Sequence, residues 1–268
     1  MALDMLALSE HTGTELRAGI DELLVHAGEV RRLLQQRGVL LVREANFADE
    51  DQVRLAAALG TVRDEGVNGI FKITLDPAKN AGADYLKGSL IWHMDGTHDQ
   101  VPIFASLLSG RVLSPIGGQT EFASSYAAYD ALPQAMKQRI ADLKVVHSFA
   151  TSMERAGVAR TPQTAAHWAS IPDRTHSLVW THEDGRKSLV IGCHASHVVG
   201  MDRAQSDALL AELLAWTTQP RFVYRHEWSV GDLLMWDNTG VLHRAEPYPV
   251  DSGRLMHRTT LVGEEAFS

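Results

Sequence analysis

The sequence predicts a mainly β protein with flanking helices, arranged as a β-sandwich or jelly roll. Many short apolar or alternating runs are separated by turn residues, and only a few stretches carry convincing helical periodicity. A doubly wound sheet is disfavoured. Gly117-Gly118 lacks the G-x-G-x-x-G spacing of a dinucleotide fold, and no Gly-Lys-Ser/Thr phosphate loop occurs.

Taken in order, Leu23, Leu24, Ala27, Val30, Leu33 and Leu34 recur at helical spacing and predict one helix over residues 21–36. The run Gly38-Val-Leu-Leu-Val-Arg43 reads as a buried strand, and residues 49–59 read as a second helix after a plausible cap. Between residues 64 and 88, Asn68-Gly69, Asp76-Pro77 and Gly82 interrupt any regular pattern, as expected for a loop forming a substrate mouth. Strand-like runs follow at 90–93 and 104–112, then a helix over 126–143 interrupted near Pro133. Residues 148–177 have little periodicity and read as a long insertion. A hairpin pairs 177–181 with 188–191 across Glu183-Asp-Gly-Arg186. Residues 203–217 form an amphipathic helix, whose Leu209, Leu210, Leu213 and Leu214 stripe suits a core or an oligomer interface. The chain then returns to strands at 222–228, 233–236 and 255–262, with a turn at Val230-Gly-Asp232.

The 268 residues are 45% hydrophobic and 22% charged, enough for a sizeable core, and one domain over 1–268 is the simplest division. Formal charge is 25 − 33 = −8 with the acidic excess spread out, so neither nucleic acid nor an anionic membrane is an expected partner. Cys193 is the only cysteine, which excludes an internal disulfide and thiolate-rich metal sites and fits a reducing cytoplasm. The first residues lack a signal peptide's basic start, and no run approaches the ~20 apolar residues of a membrane span. A soluble protein acting on a small molecule is expected, with homo-oligomerisation left open.

The sharpest motif is Trp92-His93-Met94-Asp95. Residues two apart on a strand share a face, so an imidazole and a carboxylate would be aimed together. A third ligand is available downstream at the end of Trp236-Asp-Asn-Thr-Gly-Val-Leu-His243. Two imidazoles and one carboxylate leave one side of an octahedral ion open, the facial arrangement of non-haem iron(II) oxygenases. Arg254 and Arg258 follow within Arg254-Leu-Met-His-Arg258, where either could hold an anion.

With these motifs, Pro115-Ile-Gly-Gly-Gln-Thr120 and Tyr126-Ala-Ala-Tyr-Asp-Ala-Leu132 in this order, the chain resembles the iron(II)/2-oxoglutarate dioxygenases of the taurine and 2,4-dichlorophenoxyacetate dioxygenase group. The C-terminal half looks more like the phenoxyacetate branch. The resemblance implies a double-stranded β-helix of cupin type, with iron(II) held by the catalytic ligands His93, Asp95 and His243. It also implies that Arg254 and Thr120 hold the distal carboxylate of 2-oxoglutarate, and that Arg258 holds an anionic group of the substrate. Oxygen would be consumed, succinate and carbon dioxide released, and the substrate hydroxylated. Asp95 favours hydroxylation over halogenation, because related halogenating enzymes lack that carboxylate.

The substrate implied is a small or medium organic acid, with an aryloxyalkanoate as one case. A lipid, terpenoid or amino-acid-derived metabolite is the alternative, and a non-catalytic 2-oxoglutarate binder lies outside the class. Residues 60–68 contain no histidine where taurine enzymes place one, which disfavours taurine. Gly96 suggests a roomier pocket, and His98 and His194 are candidates for substrate contact. The spacing of His194 and His197 does not match a zinc-protease helix. Trp92 and Trp236 read as packing, and Cys193 as inert.

Overall fold

The computed structural model describes residues 3–80 and 82–267. Its strands follow the period-two burial of the apolar runs. In Val39–Val42, Leu40 and Val42 pack to one side, Val39 and Leu41 to the other. Leu233–Asp237 and Ala105–Val112 divide in the same way: Leu233, Met235 and Leu107 face the first side, Leu234, Trp236 and Leu108 the second.

These three strands form the centre of a seven-stranded sheet, ordered Met5–Ala7, Thr14–Leu16, Val39–Val42, Leu233–Asp237, Ala105–Val112, Leu255–Thr260, Phe71–Ile73. Its first side is covered by helices Ala27–Arg37 and Asp49–Leu59 through Val30, Leu34, Leu55 and Leu59. Its second side faces a smaller sheet of Val223–His226, Thr120–Ser124 and Val241–Ala245, and Phe122, Tyr224 and Val241 fill the space between. The strands pair antiparallel, except Thr14–Leu16 against Val39–Val42. This is the jelly roll expected.

The far side of the smaller sheet, through Ala123 and Leu242, meets Leu209, Leu210 and Leu213 of helix Arg203–Thr217. The leucine stripe is therefore spent on the core. A third sheet, ordered Ala195–Val198, Lys144–His147, Arg174–Ser177, adjoins this layer, and Val179–Thr181 pairs with Lys187–Leu189 as the expected hairpin. Among the described residues no helix is long and apolar enough to cross a membrane.

Helices Asp49–Leu59 and Arg203–Thr217 match their expected bounds, whereas several other elements differ. The helix expected over 21–36 is two, Ile20–Val25 and Ala27–Arg37, joined at His26 just before Gly28, a poor helix former. Pro133 likewise separates Ser125–Asp130 from Gln134–Ile140. The insertion at 148–177 is more regular than its sequence suggests: helices Phe149–Arg155 and Pro162–Ala169 close a small core of Phe149, Met153 and Trp168, and strand Arg174–Ser177 follows. Each helix is too short to display a clear period. The run at 90–93 is not a strand; the 3-10 turn Lys87–Leu90 leads into a one-residue bridge at His93.

Gly240 stands where the last core strand turns back into Val241–Ala245, and a Cβ there would overlap the Tyr126 ring. Gly240→Ala is expected to destabilise the fold by about 1–3 kcal/mol through overpacking. The check is a lowered urea midpoint at unchanged m-value.

Candidate active site

The inner faces of the two sheets carry the reactive side chains. His243 lies opposite Phe122 in the smaller sheet, and Phe122 belongs to the layer between the sheets, so His243 and Thr120 point inward with it. On the facing strand, Met256 is part of the same layer, and Arg258 shares its face. Thr260 follows on that face as well.

His93 is docked beside His243 by the backbone. Its N–H donates to the His243 carbonyl at 3.0 Å and its carbonyl accepts from the His243 N–H at 2.9 Å, placing the ring centroids 4.1 Å apart. Asp95 faces both rings, with Oδ1 3.7 Å from His93 Nε2 and Oδ2 3.7 Å from His243 Nε2. Among the described residues, these three form the one cluster of at least three His, Cys, Asp or Glu whose ligand atoms all lie within 4.8 Å.

The donor set fits a divalent cation. His93 Nδ1–H donates to the Ile91 carbonyl at 2.8 Å, which leaves the Nε2 lone pair directed at the Asp95 carboxylate. Two acceptors facing each other repel unless a cation lies between them. Asp95 Oδ2 is buried without a hydrogen-bond partner. Burial, reinforced by His243 and opposed by Asp95, pushes the His93 imidazolium down to about 4, so the ring is neutral at pH 7. For Asp95, burial acts upward, but the contact with His243 and the charges of His243, Arg258 and His93 outweigh it and hold the carboxyl well below its ordinary range. A neutral His93 and an ionised Asp95 are the forms in which these two side chains ligate a metal.

Arg254 lies just before strand Leu255–Thr260, 4% exposed. Among the described residues its side chain meets only neutral partners: Nη2 donates to the Gly118 carbonyl at 3.1 Å, Nη1 approaches the Tyr248 hydroxyl at 3.5 Å, and the guanidinium stacks 4.7 Å from the Tyr248 ring. Burial lowers its pKa, against the pull of Tyr248. A buried guanidinium without a carboxylate calls for an anion. A cleft of about 110 Å³ adjoins it, lined by Leu113, Gly118, Gln119, Glu227 and Trp228. Gly118, at φ +81°, is needed because a Cβ would sit 3.0 Å from Arg254 Nε. Thr120 closes the same corner, its Oγ1 accepting from Trp228 Nε1 at 3.0 Å.

A scan against family models matches residues 6–260 to "Taurine catabolism dioxygenase TauD, TfdA family". The chain belongs to the TauD/TfdA family of iron(II)- and 2-oxoglutarate-dependent dioxygenases. It is 36% identical over 259 residues to the alpha-ketoglutarate-dependent 2,4-dichlorophenoxyacetate dioxygenase of Cupriavidus pinatubonensis, covering 88% of each chain. It is 35% identical over 245 residues to the (S)-phenoxypropionate/alpha-ketoglutarate-dioxygenase of Sphingobium herbicidovorans, covering 85% of this chain and 83% of that one. Its fold superposes on the crystal structure of AAD-2 in complex with Mn(II) and N-oxalylglycine with a TM-score of 0.86, at 32% identity and full coverage of both chains.

In this dioxygenase a second imidazole group borders the His93, Asp95 and His243 cluster. His98 packs edge-on against His194 at 4.5 Å and against Phe149 at 5.6 Å. The His194 segment is held against the Trp92–His93 segment by a hydrogen bond from Cys193 N–H to the Trp92 carbonyl at 2.8 Å, and by Arg155, whose Nη1 donates to the Cys193 and Ala195 carbonyls at 2.9 and 2.8 Å. Burial lowers the His194 pKa well below its usual value, with His98, His93 and His147 adding to the effect. Cys193 is inert as expected, its thiol pushed up to about 12 by burial.

Neither His147 nor Arg155 stands out in the sequence. His147 is fully buried, both ring nitrogens lack partners, and burial with His176 and His98 nearby lowers its pKa to about 3. Its pairing with Ala195 is what brings it here. The reading of Gly96 needs correction: at φ +82° an added Cβ would meet Ile103 N at 2.7 Å, so this glycine serves a turn against residues 102–103 and adds no pocket volume.

Proposed function

We propose that His93, Asp95 and His243 hold iron(II), that Arg254 and Thr120 hold the distal carboxylate of 2-oxoglutarate, and that the enzyme hydroxylates a small or medium carboxylate-bearing substrate. The buried Arg254, lacking an anionic partner beside a small cleft, supports the co-substrate assignment best. Bound there, iron(II) and 2-oxoglutarate supply oxygen activation and oxidative decarboxylation, releasing succinate and carbon dioxide. The chain's residues orient and exclude water. The His93 hydrogen bond to Ile91 fixes its tautomer, and the His93–His243 bridge sets the spacing between the rings. Arg258 lies on the inward face beside Asp95 and would draw an acidic substrate towards the metal. His98 and His194, with Phe149 and Tyr85, would form the opposite wall, and the segments 64–88 and 148–177 its mouth. We take 1–268 as one catalytic domain.

The aryloxyalkanoate names of the relatives make such ethers one substrate to try. Hydroxylation beside the ether oxygen would give a hemiacetal that collapses and cleaves the ether. The experiment is an anaerobic titration of the iron(II) protein with 2-oxoglutarate, followed by its visible charge-transfer band, then succinate release against a panel of organic acids. A band together with acid-stimulated succinate is expected. No band from folded, iron-loaded protein would refute the cofactor assignment.

A further inference from the structure

Arg258 differs from Arg254 in already having carboxylate neighbours. Its Nη1 stands 3.7 Å from Asp95 Oδ2, its Nη2 3.4 Å from Glu65 Oε1, and its guanidinium lies 5.3 Å from the Phe71 ring centroid. One guanidinium thus faces two carboxylates before any substrate arrives. Asp95 belongs to the metal-binding cluster, which leaves Glu65 without an assigned task.

Glu65 is built into this position by the backbone. Arg63 N–H donates to the Thr260 carbonyl at 2.8 Å and Val62 bridges Leu261, so the chain runs alongside the strand that carries Arg258. The Thr260 hydroxyl donates to Glu65 Oε1 at 2.6 Å. The next residue, Gly66, turns at φ +67°, where a Cβ would overlap the Ile70 carbonyl. Among the described residues, the Arg258 and Thr260 contacts of Glu65 both fall on Oε1 and neither on Oε2. Tyr85 lies close enough to feel the charges of Asp95, Arg258 and Glu65, and its ring stacks on Phe149 at 5.8 Å, so an apolar surface adjoins the charged group.

We infer that Glu65 determines specificity, and that the substrate is an amino acid or close derivative whose carboxylate meets Arg258 while its neighbouring ammonium meets Glu65. This rests on the dioxygenase reading above and narrows its substrate. An acid without a donor beside its carboxylate would bring a third anion against one guanidinium and offer Glu65 no new donor in exchange. A zwitterion adds no net charge and satisfies both groups, and a site built to bond a donor rejects the analogue lacking it.

The test uses matched acids with and without the 2-amino group: phenylalanine against 3-phenylpropanoate, and 2-aminohexanoate against hexanoate, with 2,4-dichlorophenoxyacetate as a further donor-free acid. Binding is read anaerobically as the perturbation of the charge-transfer band of the iron(II)·2-oxoglutarate protein, which requires no turnover. At least one amino member should bind at least about tenfold more tightly than its partner. Glu65→Gln should abolish that preference without shifting the 2-oxoglutarate titration. Thr260→Val, which keeps the Glu65 charge but releases its oxygen, should reduce the preference in part. Equal or tighter binding of the donor-free acids, binding of no amino acid, or equal weakening of both members by Glu65→Gln would overturn the inference. A missing 2-oxoglutarate band would instead sink the dioxygenase reading itself.

Discussion

Asp95→Ala is expected to lose most of its iron(II) affinity and its coupled hydroxylation while keeping its fold. Asp95 is the only anion in the candidate ligand set, and removing it leaves two imidazoles facing the ion. The guanidinium of Arg258, now 3.7 Å from Asp95 Oδ2, would then confront the metal position without an intervening negative charge. Asparagine at this position keeps an oxygen donor but not the charge, so Asp95→Asn should retain more metal than alanine. Calorimetric metal titration, with circular dichroism as the control for folding, checks the order wild type, asparagine, alanine. Wild-type iron affinity and coupling in the alanine variant would remove Asp95 from the site.

The second large effect is expected at Arg254. Arg254→Ala should weaken 2-oxoglutarate by about 2–5 kcal/mol, roughly 30-fold to several thousand-fold, because a desolvated carboxylate loses its only cationic partner. Iron binding should persist, since a permanently charged guanidinium has no lone pair to offer a metal. Saturation of the charge-transfer band at much higher 2-oxoglutarate separates this from a loss of metal. Unchanged affinity would place the co-substrate elsewhere. Thr120→Val should cost less, as its hydroxyl is neutral and already accepts from Trp228.

The candidate His93, Asp95 and His243 cluster was legible because its chemistry is written in side-chain types at short spacing: an imidazole and a carboxylate two residues apart, then one distant histidine. The strand invoked for it was only a single bridged residue, yet that bridge sufficed to aim both groups. The helices Asp49–Leu59 and Arg203–Thr217 were legible because each has enough turns for its buried stripe to repeat. Glu65, His147 and Arg155 were not. Glu65 is placed by the pairing of Val62 with Leu261, and His147 by the register of its strand against Ala195, long-range contacts that no local pattern announces. Arg155 acts through backbone carbonyls, which carry no residue-type signal at all. The helices of residues 148–177 escaped for another reason: their small core of Phe149, Met153 and Trp168 draws on single residues rather than a stripe.

The reciprocal backbone bonds between His93 and His243 also bear on how the protein survives without its metal. These residues lie far apart along the chain, so in the unfolded state a metal would have to close a long loop to engage both. In the folded protein the sheet has already met that entropic cost. A metal held by these two residues would therefore bind the native state far better than the unfolded one, and its free concentration would be linked to folding. Scarcity of iron would then lower the melting temperature in proportion to the logarithm of its availability.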